Sequence, residues 1–157
     1  MNYIKPTWND IETSCNEMLI SMSSNKYKPD AIVCLLRGGM VPARIFADRF
    51  NITSNLFVID VKFYTGIAET RTEPIIKCSE EIIGQNVLVV DDICDSGKTM
   101  DCVKLFLRDN AMRTATLFCK EDCTTKPDFY HKVVKKDDWV MFPWEREEFG
   151  KEMLKFV

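Results

Sequence analysis

VLVVDDICDSGKT, residues 87–99, runs from an apolar strand into two acids, a short loop and the start of a helix. Each part has a physical use. Gly97 permits a tight turn, and the amides from Ser96 to Thr99 then point toward a helix N-terminus, whose dipole favours an anion. Ser96 and Thr99 add hydroxyl donors, which suits a phosphate monoester. Asp91 and Asp92, at the strand end, can accept hydrogen bonds from vicinal hydroxyls or hold hydrated magnesium. Together these groups describe a site for a ribose phosphate. A P-loop is the nearest competitor, because GKT stands at 97–99. The spacing rejects it: GxxxxGKT needs glycine at position 92, where Asp92 would repel the wrapped phosphate. A plain capped turn is a poorer account, since a cap does not call for three aspartates.

Outward from this stretch, strands and helices alternate. Ile11, Cys15, Met18, Leu19 and Met22 recur at helical spacing and predict an amphipathic helix over 8–24. AIVCLL (31–36) is apolar on both alternating faces, as a buried parallel strand is, and RGG (37–39) ends it. Pro42 suits an early helical position, with Ala43, Phe46, Ala47 and Phe50 on one face. LFVIDVKFY (56–64) and TATLFC (114–119) read as further strands, and a helix over 99–110 turns Met100, Val103, Phe106 and Leu107 inward. DFYHKVV (128–134) and WVMFP (139–143) read as two short strands before an acidic terminal helix. The expected class is α/β: one domain over 1–157 with a mainly parallel sheet flanked by helices. Ligands then belong at the carboxyl ends of the strands.

Composition agrees. With 157 residues, 46% hydrophobic and 29% charged, the chain suits one globular core and is neither disordered nor low-complexity. A formal net charge of −3 argues against sequence-independent binding to polyanions, so any phosphate must be held by local geometry. The longest fully apolar run, 31–36, is far short of the roughly 18 residues a membrane span needs. MNYIKPTWNDIETSC, at the start, has no apolar stretch of signal-peptide length, which argues against export. The seven cysteines (15, 34, 78, 94, 102, 119 and 123) are odd in number and scattered, unlike a disulfide framework, and suggest a reducing cytosol. With one histidine, His131, and no CxxC pair, a structural zinc site lacks ligands, and Cys119 and Cys123 read as core and loop thiols.

VLVVDDICDSGKT closely resembles the phosphoribosyl-pyrophosphate signature of type I phosphoribosyltransferases, with Ser96 where the usual form has threonine. The resemblance extends from about 28 to 145 through RGGMVPAR (37–44), DVKFYTGIAETRTEPI (60–75) and WVMFPWE (139–145), and is greatest to the short microbial enzymes that act on hypoxanthine, guanine or xanthine. It implies the type I phosphoribosyltransferase fold, a lid loop over about 62–81 and a small C-terminal base-binding hood over about 120–157. It also implies magnesium, a purine base and phosphoribosyl pyrophosphate as ligands, and a homodimer. Asp91 and Asp92 would then bind ribose hydroxyls and the metal, while Asp95, Ser96, Gly97, Lys98 and Thr99 hold the 5-phosphate.

Asp95 would face the purine as general acid/base, since forming the bond at ring nitrogen 9 requires a proton to leave the base. A capping role for Asp95 is equally compatible with the sequence. Leu36, Arg37, Gly38 and Gly39 resemble the pyrophosphate loop, where a cis peptide between Leu36 and Arg37 is implied. Lys120 would sit near the 6-oxo group, although Glu121-Asp122 departs from the proline several relatives carry after it. Trp139 would stack on the base, with backbone groups at Trp139 and Val140 reading the ring edge, and Trp144 is assigned to packing. Tyr64 is a candidate shield in the lid. Lys62, Arg71 and Lys77 are lid contacts, neighbour-subunit contacts or solvated charges. Rival readings are a non-catalytic regulator that senses the same ligand, which should carry an added basic patch, and a receiver-like protein, which leaves the Ser-Gly-Lys-Thr loop unexplained. A transferase for another base also stays open.

Overall fold

The computed structural model describes residues 2–63, 74–145 and 147. Its centre is β2 (Ala31–Leu35), buried along its whole length. Successive strand residues point to opposite faces, and both faces here are covered. Ile32 and Cys34 join a core with Ile11, Cys15, Met18 and Met22 of α1 (Trp8–Ser24) and Phe46 of α2 (Met40–Phe50). Ala31, Val33 and Leu35 join the opposite core, with Met100 and Val103 of α3 (Lys98–Phe106). The doubly apolar run is thus a strand between two helical layers.

β3 (Leu56–Lys62) and β5 (Asn86–Cys94) pair with β2 on its two sides, both parallel. β6 (Ala111–Lys120) continues from β5 and β7 (Phe129–Val134) from β6, again parallel, and β4 (Ile75–Cys78) closes the far edge antiparallel to β3. The order is therefore β4-β3-β2-β5-β6-β7. From β2 the chain winds outward to β3, and from β5 it winds the other way. The switch point lies between β2 and β5, so the segments after these strands flank the crevice where open α/β sheets bind ligands.

Two short elements were not expected. β1 (Asn2–Ile4) pairs in parallel with β8 (Asp138–Val140), Tyr3 opposite Trp139, as a separate two-stranded sheet. β4 lies inside the stretch read as a continuous lid loop: Ile75 and Ile76 pair with Lys62 and Val61. Phe106 corrects a further expectation. It is 45% exposed because α3 ends there, and Leu107 takes the inward position. α1 matches its expected range and opens on a capping box in which Thr7 accepts from Asp10 N–H while Asp10 accepts from Thr7 N–H. Tyr64, Arg71 and the expected terminal helix beyond 147 lie outside the described residues. Among the described residues no helix is long and apolar enough to cross a membrane.

Candidate active site

β5 carries the acidic pair to the end of the sheet. Asp92, only 7% exposed, accepts a hydrogen bond from Ile93 N–H at 2.7 Å, and Asp91 accepts one from Asp92 N–H at 3.0 Å. Strand alternation sends the two carboxylates different ways. Asp91 lines a cavity of about 250 Å³ with the loop from Asp95 to Thr99. Asp92 lines a second cavity, of about 400 Å³, with Lys120, Trp139 and Val140. Asp95 belongs to both. A ligand with an anion in one cavity and a flat ring in the other would cross at this carboxylate.

The loop has the backbone an anion site needs. Gly97 adopts φ +91°, and a Cβ there would also fall 2.8 Å from Thr125 N, so only glycine fits. Gly97 is the N-cap of α3 and has no side chain with which to cap it, so first-turn amides lack an intrahelical acceptor. Ser96 Oγ is 3.4 Å from Lys98 N, and the Thr124 hydroxyl donates to the Ser96 carbonyl at 2.8 Å, tying the loop to the segment after β6. Asp95 is exposed and makes no hydrogen bond or ion pair with the described residues. The N-cap of α3 is Gly97, so Asp95 does not cap it, and Asp95 lines both cavities.

The loop after β2 lies against Asp92. The peptide between Leu36 and Arg37 is cis, as the resemblance implied. Leu36 N–H donates to Ile59 O and Gly39 N–H to Leu35 O, each at 2.9 Å. At Gly38 a Cβ would fall 2.2 Å from the Asp92 carboxyl, so this backbone rests directly on Asp92. Leu36 and Arg37 are exposed at the mouth of the crevice.

Electrostatically the site is charged and strained. Burial, and then the charge of Asp92, push Asp91 well above the usual carboxylate range. Asp92 is pushed up to about 6, by burial first and then by the carboxylate of Glu145, against the opposing hydrogen bond from Ile93 N–H. Such a pair suits a cation or a set of hydroxyl donors. Among the described residues no three metal-binding side chains converge. A cation here would use one or two carboxylates and complete its shell from water and ligand oxygens, which is how magnesium is commonly bound.

Glu145 was not singled out from the sequence, and neither was Phe63, which lines the smaller cavity. Glu145 accepts from Phe142 N–H at 3.3 Å, and its place in WVMFPWE was the available signal. Trp139 is 52% exposed beside the larger cavity. Trp144 packs as expected, stacked on Phe142 with ring centroids 4.7 Å apart. Lys120 lines the larger cavity, but its ammonium is turned toward the backbone carbonyls of Lys135, Lys136 and Asp138. A larger space, about 810 Å³, opens between α1 and α2 and contains none of the expected chemistry. All seven cysteines are free.

Comparison with known proteins agrees with this geometry. Residues 7–148 match the phosphoribosyl transferase domain. A xanthine-guanine phosphoribosyltransferase of Cereibacter sphaeroides is 34% identical over 119 residues, covering 73% of this chain and 68% of that protein. A purine phosphoribosyltransferase from Pyrococcus horikoshii superposes with a TM-score of 0.77 at 28% identity, over 92% of this chain and 94% of the other. A Neisseria gonorrhoeae protein solved with bound ppGpp superposes with a TM-score of 0.75 at 25% identity, over 96% and 94% of the two chains. Sequence and fold agree over nearly the whole length, and this chain belongs to the phosphoribosyl transferase family.

Proposed function

We propose that the protein transfers the phosphoribosyl group of phosphoribosyl pyrophosphate to a 6-oxopurine, forming the nucleoside monophosphate and releasing pyrophosphate in purine salvage. The observation that carries the reading is the sharing of Asp95 between an anion cavity and a cavity edged by Trp139. In this reading the 5-phosphate lies on the amides of Ser96 to Thr99, with the Ser96 and Thr99 hydroxyls beside it. The ribose hydroxyls donate to Asp91 and Asp92. The base stacks on Trp139, a contact worth about 1–3 kcal/mol. The leaving pyrophosphate meets Arg37 and the backbone from Leu36 to Gly39, where positive charge and close backbone approach offset the charge that develops as the glycosidic bond breaks.

Asp95, which lines both cavities, takes or stabilises the proton that leaves the purine. Magnesium, held by Asp91 and Asp92, would supply charge neutralisation on the pyrophosphate. The same reading makes the protein a cytosolic homodimer.

The test is direct. The protein is mixed with magnesium, phosphoribosyl pyrophosphate and each of a panel of purine and pyrimidine bases, and pyrophosphate release is measured. Release is expected with hypoxanthine, guanine or xanthine and depends on magnesium. Release with none of the bases, although phosphoribosyl pyrophosphate binds, would replace the enzyme with a ligand-sensing regulator. Release only with adenine or a pyrimidine would move the assignment to another transferase.

A further inference from the structure

Two thiols meet beside the anion loop. Cys94, the last residue of β5, and Cys123, in the segment after β6, are 29 positions apart in sequence, and their Sγ atoms lie 3.2 Å from each other. The Thr125 carbonyl stands within reach of both, 3.5 Å from Cys94 Sγ and 3.3 Å from Cys123 Sγ. Cys119 is opposite Cys94 in the β5–β6 ladder, but it is fully buried and its thiol donates to the Lys120 carbonyl at 3.5 Å. The thiols that face each other are therefore Cys94 and Cys123.

The pair is tied to the loop on one side and reachable on the other. Cys94 lines the cavity of about 250 Å³ together with the residues from Asp95 to Thr99, so a molecule as small as a peroxide can reach it through that cavity. Cys123 precedes Thr124, whose hydroxyl and N–H both donate to the Ser96 carbonyl, at 2.8 Å and 3.2 Å, and Thr125, whose backbone packs against Gly97. The two sulfurs thus connect the two segments that build the anion loop. A disulfide bond is about 2.0 Å long, and bringing the thiols to that separation asks for about 1 Å of closure.

We propose that Cys94 and Cys123 form a peroxide-reactive dithiol site, which closes to a disulfide in the folded protein and is shielded when a phosphate ligand fills the anion cavity. The shielding rests on the phosphate-loop reading above, whereas the dithiol does not. One peroxide balances the chemistry. The first sulfur attacks a peroxide oxygen and becomes the sulfenic acid, and the other oxygen leaves as water with that thiol's proton. The second sulfur then displaces the sulfenic hydroxyl, which leaves as a second water with the second thiol's proton. Two electrons pass from the thiols to the peroxide, and thiol reductants reverse the bond by exchange.

The experiment treats the folded protein with hydrogen peroxide, with and without ribose 5-phosphate, then alkylates it and maps its peptides by mass spectrometry, for wild type, Cys94→Ser and Cys123→Ser. Wild type should yield peptides joined between Cys94 and Cys123 that dithiothreitol separates, and in neither variant should Cys119 take the missing partner's place. Ribose 5-phosphate at ten times its dissociation constant leaves about one cavity in ten open, so joining should slow about tenfold. Because the bond closes a long loop in the unfolded chain, the oxidised protein should unfold at a urea concentration higher by about 1 M or more. A bond that forms only in urea, a bond through Cys119 instead, or an oxidised protein no more stable than the reduced one would overturn the dithiol site. Joining at an unchanged rate while a titration shows ribose 5-phosphate bound would overturn the shielding. A wild-type protein that does not bind ribose 5-phosphate refutes the phosphate-loop reading instead. The mapping without ligand still decides whether the two thiols form the site.

Discussion

Replacing Asp92 by Asn is expected to stabilise the ligand-free protein at alkaline pH while removing its activity. The folded protein raises this carboxyl from the ordinary 3.8 to about 6, chiefly by burying it and secondarily through Glu145. A raised acid pKa means that the folded state binds its proton more tightly than the unfolded state does. The protonated form carries no penalty, and the ionised form destabilises the fold as pH rises from below 3.8 through about 6. At 1.36 kcal/mol per pH unit, the full penalty is about 3 kcal/mol at pH 8 and about half of that at pH 5. Asparagine keeps the size of the side chain and the acceptor for Ile93 N–H, and it carries no charge to bury. Urea unfolding without ligand should therefore show the variant more stable by about 3 kcal/mol at pH 8, with the gap closing toward pH 4. Pyrophosphate release should be lost, because in the proposed reading the ribose and the metal lose a carboxylate. A variant no more stable than wild type at pH 8, or a gap that does not change with pH, would refute the reasoning.

Asp95→Asn should lower kcat by about 10²–10⁴-fold, the usual worth of a positioned acid or base, and leave the affinity for phosphoribosyl pyrophosphate nearly unchanged in a binding titration. Equal activity would remove Asp95 from the chemistry. Deleting residues 2–4 takes away β1, which pairs with the strand bearing Trp139. Steady-state kinetics should show a raised KM for the base with little change in KM for phosphoribosyl pyrophosphate, and a parallel rise in both would count against the separate roles of the two cavities. Burial pushes the Cys15 thiol up to about 12 and those of Cys34 and Cys119 up to about 11. A disulfide reagent at pH 8 should therefore modify these three only on unfolding, and rapid modification in the folded protein, read by mass spectrometry, would contradict their burial.

What the sequence made legible was what local pattern determines. The run 31–35 declared its double burial because it has no polar face, and the 3.6-residue recurrence of Ile11, Cys15, Met18 and Met22 marked α1. The turn from β5 into α3 was legible because Gly97 and its acidic neighbours are contiguous. Elements that depend on distant pairing were not. β1 is three residues whose partner strand lies at 138–140, and nothing within NYI announces it. β4 is four residues of edge strand in a polar stretch, fixed by its ladder with β3. Phe106 misled because helical periodicity does not say where a helix stops. The orientation of Lys120 depends on carbonyls fifteen and more residues away, a tertiary fact with no local signature. The influence of Glu145 on Asp92 likewise appears only when the C-terminal segment folds back over β5.

The most direct measurement is a crystal structure with GMP. The account predicts the phosphate within hydrogen-bonding distance of the amides of Ser96 to Thr99, the purine against Trp139, and the Asp95 carboxylate between them. Nucleotide bound instead in the groove between α1 and α2, or a phosphate that ignores the amides at 96–99, would contradict it.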